Sequence, residues 1–122
     1  MVTYSKHFIP LESNPDVFNH LIHDLGVSSV LRFHDVLSLS EPEILAFIPR
    51  PVLALVIAFS TPPQYEDLLV EDNASTPEYT KTGEDEYVMW FKQTINNACG
   101  LYGILHAVAN GCARNFVGMF LK

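Results

Sequence analysis

Residues 52–59, Val-Leu-Ala-Leu-Val-Ile-Ala-Phe, offer apolar side chains to both faces of an extended chain. No other stretch constrains the fold as strongly. The run follows Pro49 and Pro51 and carries branched residues, which favours a strand over a helix. A strand of that kind is buried on both sides, so it needs neighbouring strands and a covering layer on each face. It is also far shorter than the roughly 20 apolar residues of a membrane-spanning helix. The chain's 122 residues suit one small domain.

The covering layer is legible as helices. Asn14 and Pro15 suit the cap and first position of a helix that Gly26 ends. Val17, Phe18, Leu21, Ile22 and Leu25 form its apolar stripe. A shorter helix is expected from the capping box Ser40-Glu41-Pro42-Glu43, with Pro49 as its stop. Residues 60–86 read as a solvated connection with one turn of helix. A third helix is expected after Asn96 and Asn97, ending at Asn110-Gly111. Gly100 and Gly103 inside it point to close packing.

Charge narrows the partners. Fourteen acidic against seven basic side chains give a formal charge of −7, which argues against nucleic acid and suits a basic protein partner. Eight of the acids fall in residues 63–88, and none follows Glu86. Cys99 and Cys112 form no CxxC pair and no zinc-ligand spacing, so neither a disulfide scaffold nor a metal site is expected. No secretory h-region is visible at the N-terminus, and a reduced, cytoplasmic setting is the expectation.

Cys99 falls in the first turn of the third helix, where backbone N–H groups and the positive dipole end favour a thiolate and can hold an oxyanion. Gln93 lies six residues upstream and offers a neutral donor from the incoming loop. That is the layout of a papain-like thiol hydrolase. A lone cysteine in an apolar helix also reads as a small buried hydrophobe.

Residues 91–111, centred on Lys92-Gln93-Thr94-Ile95-Asn96-Asn97-Ala98-Cys99-Gly100, resemble the active-site signature of the ubiquitin C-terminal hydrolases. Pro10-Leu11-Glu12-Ser13-Asn14-Pro15 is similar to that family's opening motif. Phe33-His34-Asp35-Val36 and Pro49-Arg50-Pro51-Val52 resemble two further landmarks in the same order, and Gly100-Leu101-Tyr102-Gly103-Ile104-Leu105 has a fungal character. The resemblance implies a papain-like α/β (α+β) fold. Residues 1–122 would form the N-terminal, mainly helical half of a single catalytic domain, plus one buried strand. It implies thiol-dependent hydrolysis of ester, amide or peptide bonds at the C-terminal glycine of ubiquitin or a ubiquitin-like protein. Cys99 would be the nucleophile and Gln93 the oxyanion donor. Pro10, Leu11, Glu12, Ser13, Asn14, Pro15 and Asp35 would face ubiquitin. A monomer without cofactor or membrane partner is implied.

The family also uses a general-base His and an orienting Asp downstream of the nucleophile. Here the only later histidine is His106, seven positions on in the same helix. It sits roughly 10 Å along the axis, beyond the reach of a Cys–His pair, so a packed or surface role is expected. No Asp follows Cys99, and Val117-Gly118-Met119-Phe120-Leu121-Lys122 departs from the family pattern. The chain is thus expected to be truncated after the cysteine helix, with little turnover by itself. A catalytically inactive, ubiquitin-binding fragment is the alternative. A redox or metal role for the two cysteines lacks a motif.

Overall fold

The structure, a computed structural model, describes residues 3–118. Met119 to Lys122, part of the stretch that departs from the family pattern, lie outside the described residues. Four α-helices occur in order: α1, Pro15–Asp24; α2, Pro42–Leu45; α3, Pro63–Ser75; and α4, Cys99–Ala109. A 3₁₀ segment, Gly111–Phe116, follows α4. Two compact units are present, one made of the chain up to Val56 together with Met89 onward, the other Ile57–Val88.

α1 begins as its sequence dictates. The Asn14 side chain accepts from the Asp16 N–H at 2.9 Å, Pro15 opens the first turn, and Gly26 leaves the helix at φ +97°. The apolar stripe of α1 meets α4. Ile22, Val27, Ile104, Val108 and Val117 form the buried core, and Leu11, Phe18, Leu21, Leu31 and Phe33 pack around it. An isolated antiparallel bridge between Val27 and Val117 closes one end, with Ser28 N–H donating to Phe116 at 2.8 Å and Gly118 N–H to Gly26 at 3.0 Å. A Cβ on Gly118 would stand 2.9 Å from the Gly26 carbonyl, so only glycine permits this approach.

Asn19, within α1, is the buried polar side chain of the first unit, at 5% exposure. Its Oδ1 accepts from the Phe33 N–H at 2.6 Å and its Nδ2 donates to the Phe33 carbonyl at 3.4 Å. One amide side chain thereby stands in for a strand partner at Phe33. The Phe33 ring meets Phe18 edge to face, with centroids 5.4 Å apart.

Three expectations are corrected. No strand forms among the described residues, whose β pairing is confined to the bridges His7↔Asn96 and Val27↔Val117. Residues 52–59 are not buried: Val52, Leu55, Val56, Ile57 and Phe59 stay 40% to 70% exposed. A two-sided strand requires a ladder on its edges and cover on its faces, and among the described residues the run finds neither. Second, the solvated connection contains a 13-residue helix, α3, rather than one turn. Pro63 supplies a preset first turn and Glu66 complements the dipole, while Ser75 and Thr76 hydroxyls donate to the Asp72 carbonyl at the far end. It buries no side chain. Third, no side chain caps α2, so the expected Ser40 box does not form. Glu41 is the residue before the helix, and Ser38 orders the turn ahead of it. Ser38 Oγ accepts from the Ser40 and Glu41 N–H groups, at 3.2 and 3.0 Å.

Candidate active site

α4 starts at Cys99, which is solvent-exposed and unpaired, as is Cys112. Exposure removes the alternative in which Cys99 packs as a small buried hydrophobe. No side chain caps the helix. The first backbone donor to find an intrahelical acceptor near this end is Tyr102 N–H, at 3.0 Å from the Ala98 carbonyl. The N–H groups of Cys99, Gly100 and Leu101 precede it, in the part of a helix whose donors have no intrahelical partner. Asn97, at φ +59°, turns the chain sharply just before Ala98, a conformation asparagine tolerates better than other non-glycine residues.

Two segments bracket this helix start. Residues 6–8 pair with Asn96: Phe8 N–H donates to the Asn96 carbonyl at 2.8 Å, and Asn96 N–H to the Lys6 carbonyl at 2.9 Å. Asn96 Nδ2 also reaches His7 Nδ1 at 2.9 Å. Further along, Leu11 packs onto the residue after Cys99, since a Cβ on Gly100 would lie 3.0 Å from Leu11 Cβ. The opening motif and the cysteine helix are therefore brought together. Gly103 by contrast has open space where a Cβ would be, so the close packing expected of both glycines holds at Gly100 alone.

The remaining residues of the opening motif divide between surface and structure. Pro10, Glu12 and Ser13 are exposed, while Asn14 caps α1. Asn14, Pro15 and Asp35 line one cavity of about 260 Å³ together with Asp16, Asn19, Arg32, Phe33 and His34. The Asn19 clamp on Phe33 sets the position of the two residues that follow it here, His34 and Asp35. Sequence reasoning missed Asn19, because a polar residue on a helix gives no sign of a buried acceptor–donor pair.

Gln93 lies on residues 89–94, a segment without secondary structure of its own. Its Nε2 donates to the Ile95 carbonyl at 2.9 Å, and no hydrogen bond joins it to Cys99 among the described residues. His106 is a packed histidine, as its spacing implied. Its Nε2 accepts from the Phe91 N–H at 2.9 Å, and its ring stacks on Trp90 with centroids 5.0 Å apart. No histidine among the described residues hydrogen-bonds Cys99. His20 pairs with Asp24 at 3.3 Å, and His23 Nε2 bonds the Leu31 carbonyl at 2.9 Å. No cluster of three or more metal-ligating side chains stands among the described residues, and none of their helices is long and apolar enough to cross a membrane.

The family model of ubiquitin carboxyl-terminal hydrolase, family 1, matches residues 8–121, nearly the whole chain. The chain belongs to this family. Ubiquitin carboxyl-terminal hydrolase YUH1 of Saccharomyces cerevisiae is 46% identical over 106 residues, covering 87% of this chain and 41% of the yeast protein. The Aplysia californica ubiquitin carboxyl-terminal hydrolase is 42% identical over 105 residues, which is 86% of this chain and 45% of its own length. The rat isozyme L1 is 39% identical over 101 residues, 83% of this chain and 44% of the rat protein. This ubiquitin C-terminal hydrolase chain thus spans less than half the length of the curated relatives it matches.

Proposed function

We propose that residues 1–122 form the nucleophile-bearing part of a single catalytic domain that cleaves bonds at the C-terminal glycine of ubiquitin. The observation that carries this reading is an exposed cysteine at the first position of α4, beside uncapped backbone donors, inside the family match. The Cys99 thiolate attacks the glycine carbonyl carbon. The oxyanion that forms is held by the Cys99 N–H and, once Gln93 turns from Ile95, by a Gln93 amide N–H. Collapse breaks the bond to the leaving amine or alcohol, which takes up a proton, and leaves a thioester. Water then hydrolyses the thioester, releasing the free carboxylate and the thiol. Pro10, Leu11, Glu12, Ser13, Asn14, Pro15 and Asp35 form the ubiquitin-facing surface, where the acidic balance complements a basic tail.

A second reading, an inactive ubiquitin-binding piece, is favoured by the commitment of His106 to Phe91. The experiment that separates the two uses the 122-residue chain and ubiquitin carrying an electrophilic C-terminus. A covalent adduct on Cys99, lost in Cys99→Ser and kept in Cys112→Ser, supports the nucleophile assignment. Ubiquitin binding without adduct supports the second reading. An adduct at Cys112 alone, or neither binding nor adduct, overturns both.

A further inference from the structure

Tyr102, His106 and Asn110 recur every four residues along α4 and its C-terminal boundary, which places them on one face of the helix. Each holds the backbone of the segment that delivers Gln93. Asn110 Oδ1 accepts from the Met89 N–H at 2.8 Å, and its Nδ2 donates to the Met89 carbonyl at 3.0 Å. The same Nδ2 also donates to the His106 carbonyl at 3.0 Å, which anchors the amide in place. His106 Nε2 takes the Phe91 N–H. Tyr102 Oη takes the Thr94 N–H at 3.3 Å and lies 3.2 Å from Thr94 Oγ1.

We infer that Tyr102, His106 and Asn110 are positioning residues, a three-rung ladder that lays residues 89–94 along α4 and so sets where Gln93 stands relative to Cys99. Side chains of α4 and its boundary thus bond the backbone at Met89, Phe91 and Thr94, as a neighbouring sheet edge would. The rungs run antiparallel to α4, Met89 at its C-terminal end and Thr94 near its first turns. Gln93 is carried toward the helix start by that direction. Trp90, stacked on His106, and Phe91, whose ring lies 5.3 Å from it, fasten the middle rung from two sides. Hydrogen bonding from Thr94 also holds the Tyr102 phenol below its ordinary pKa, in keeping with an acceptor role for Oη.

The inference rests on the assignment of Gln93 as oxyanion donor, and its test separates the two. Nuclear magnetic resonance on the ¹⁵N-labelled 122-residue chain reads where Gln93 sits, whereas adduct formation reads whether the site acts. In His106→Leu, which keeps apolar packing against Trp90 and removes the acceptor, exchange protection of the Phe91 amide falls about fivefold, the size of one net hydrogen bond. The Gln93 side-chain amide resonances shift with it. His106→Gln, which restores an acceptor at the same reach, returns both. If the Gln93 resonances stay in place in His106→Leu, or if the glutamine variant fails to return them, the ladder does not position Gln93. Should His106→Leu melt the core, Tyr102→Phe decides instead, since it deletes only the Oη rung. A shifted Gln93 side chain supports the inference there and an unmoved one overturns it.

Discussion

Asn19 buries its amide to satisfy both backbone groups of Phe33, and nothing else on α1 offers Phe33 N–H a partner. Asn19→Leu fills the volume but strands a buried donor and acceptor. It is expected to destabilise the chain by about 1–3 kcal/mol in urea unfolding, with His34 and Asp35 resonances shifting as Phe33 loosens. The two perturbed tyrosines give a second test at this scale. Tyr102 sits below the usual phenol range because the Thr94 side chain, then its backbone N–H, hydrogen-bond the oxygen. Tyr79 sits above it because its hydroxyl donates to Glu86, with burial and the Glu86 charge acting the same way. A lowered phenol pKa contributes its full stability above the unfolded value near 10, and that contribution is lost as pH falls through the lower folded value. A raised one contributes fully below about 10 and is lost as pH climbs through the higher folded value. Ultraviolet titration should therefore lose an early component in Tyr102→Phe and a late one in Tyr79→Phe.

Among the elements, α1 and α4 were legible from sequence because their ends are written in local chemistry: Asn14-Pro15 and Gly26 for α1, Asn110-Gly111 for the end of α4. α3 was not, because a helix that buries nothing leaves no apolar stripe to read, and its prolines and acids look like a loop. The site shows the same division. The position of Cys99 at a helix start and the packed state of His106 followed from spacing. The roles of Asn19, Asn110 and Tyr102 did not, because each depends on which backbone arrives opposite it, and that is decided by tertiary contact. The two glycines of α4 offer an element-scale test. Gly103 faces open space, so Gly103→Ala should recover helix propensity and stabilise the chain by about 0.5–1 kcal/mol. Gly100→Ala gains the same propensity but presses a methyl to 3.0 Å from Leu11 Cβ, an atom tied directly to backbone. Thermal melts should rank Gly103→Ala above the parent and Gly100→Ala below Gly103→Ala.

For the molecule as a whole, the apolar run expected to be a strand buried on both sides is the part least satisfied among the described residues. Val52, Leu55, Val56, Ile57 and Phe59 expose 40% to 70% of their surface, and full burial of such a side chain is worth roughly 1.5–3 kcal/mol. Among the described residues this stretch joins no ladder, so apolar surface and backbone groups without ladder partners coincide on one segment. Relatives more than twice as long as the matched region carry further chain that this one, taken as 122 residues, does not contribute. Another copy of the chain offers the run a route to burial. The purified 122-residue chain is therefore expected to self-associate as concentration rises in sedimentation velocity, and Leu55→Glu with Ile57→Lys should return it to monomer. The substituted monomer should keep the α1–α4 core, read from the dispersed methyl signals of Ile22 and Ile104, because those residues belong to a separate cluster. A parent chain that stays monomeric at all concentrations would mean that the run finds its cover within the same molecule.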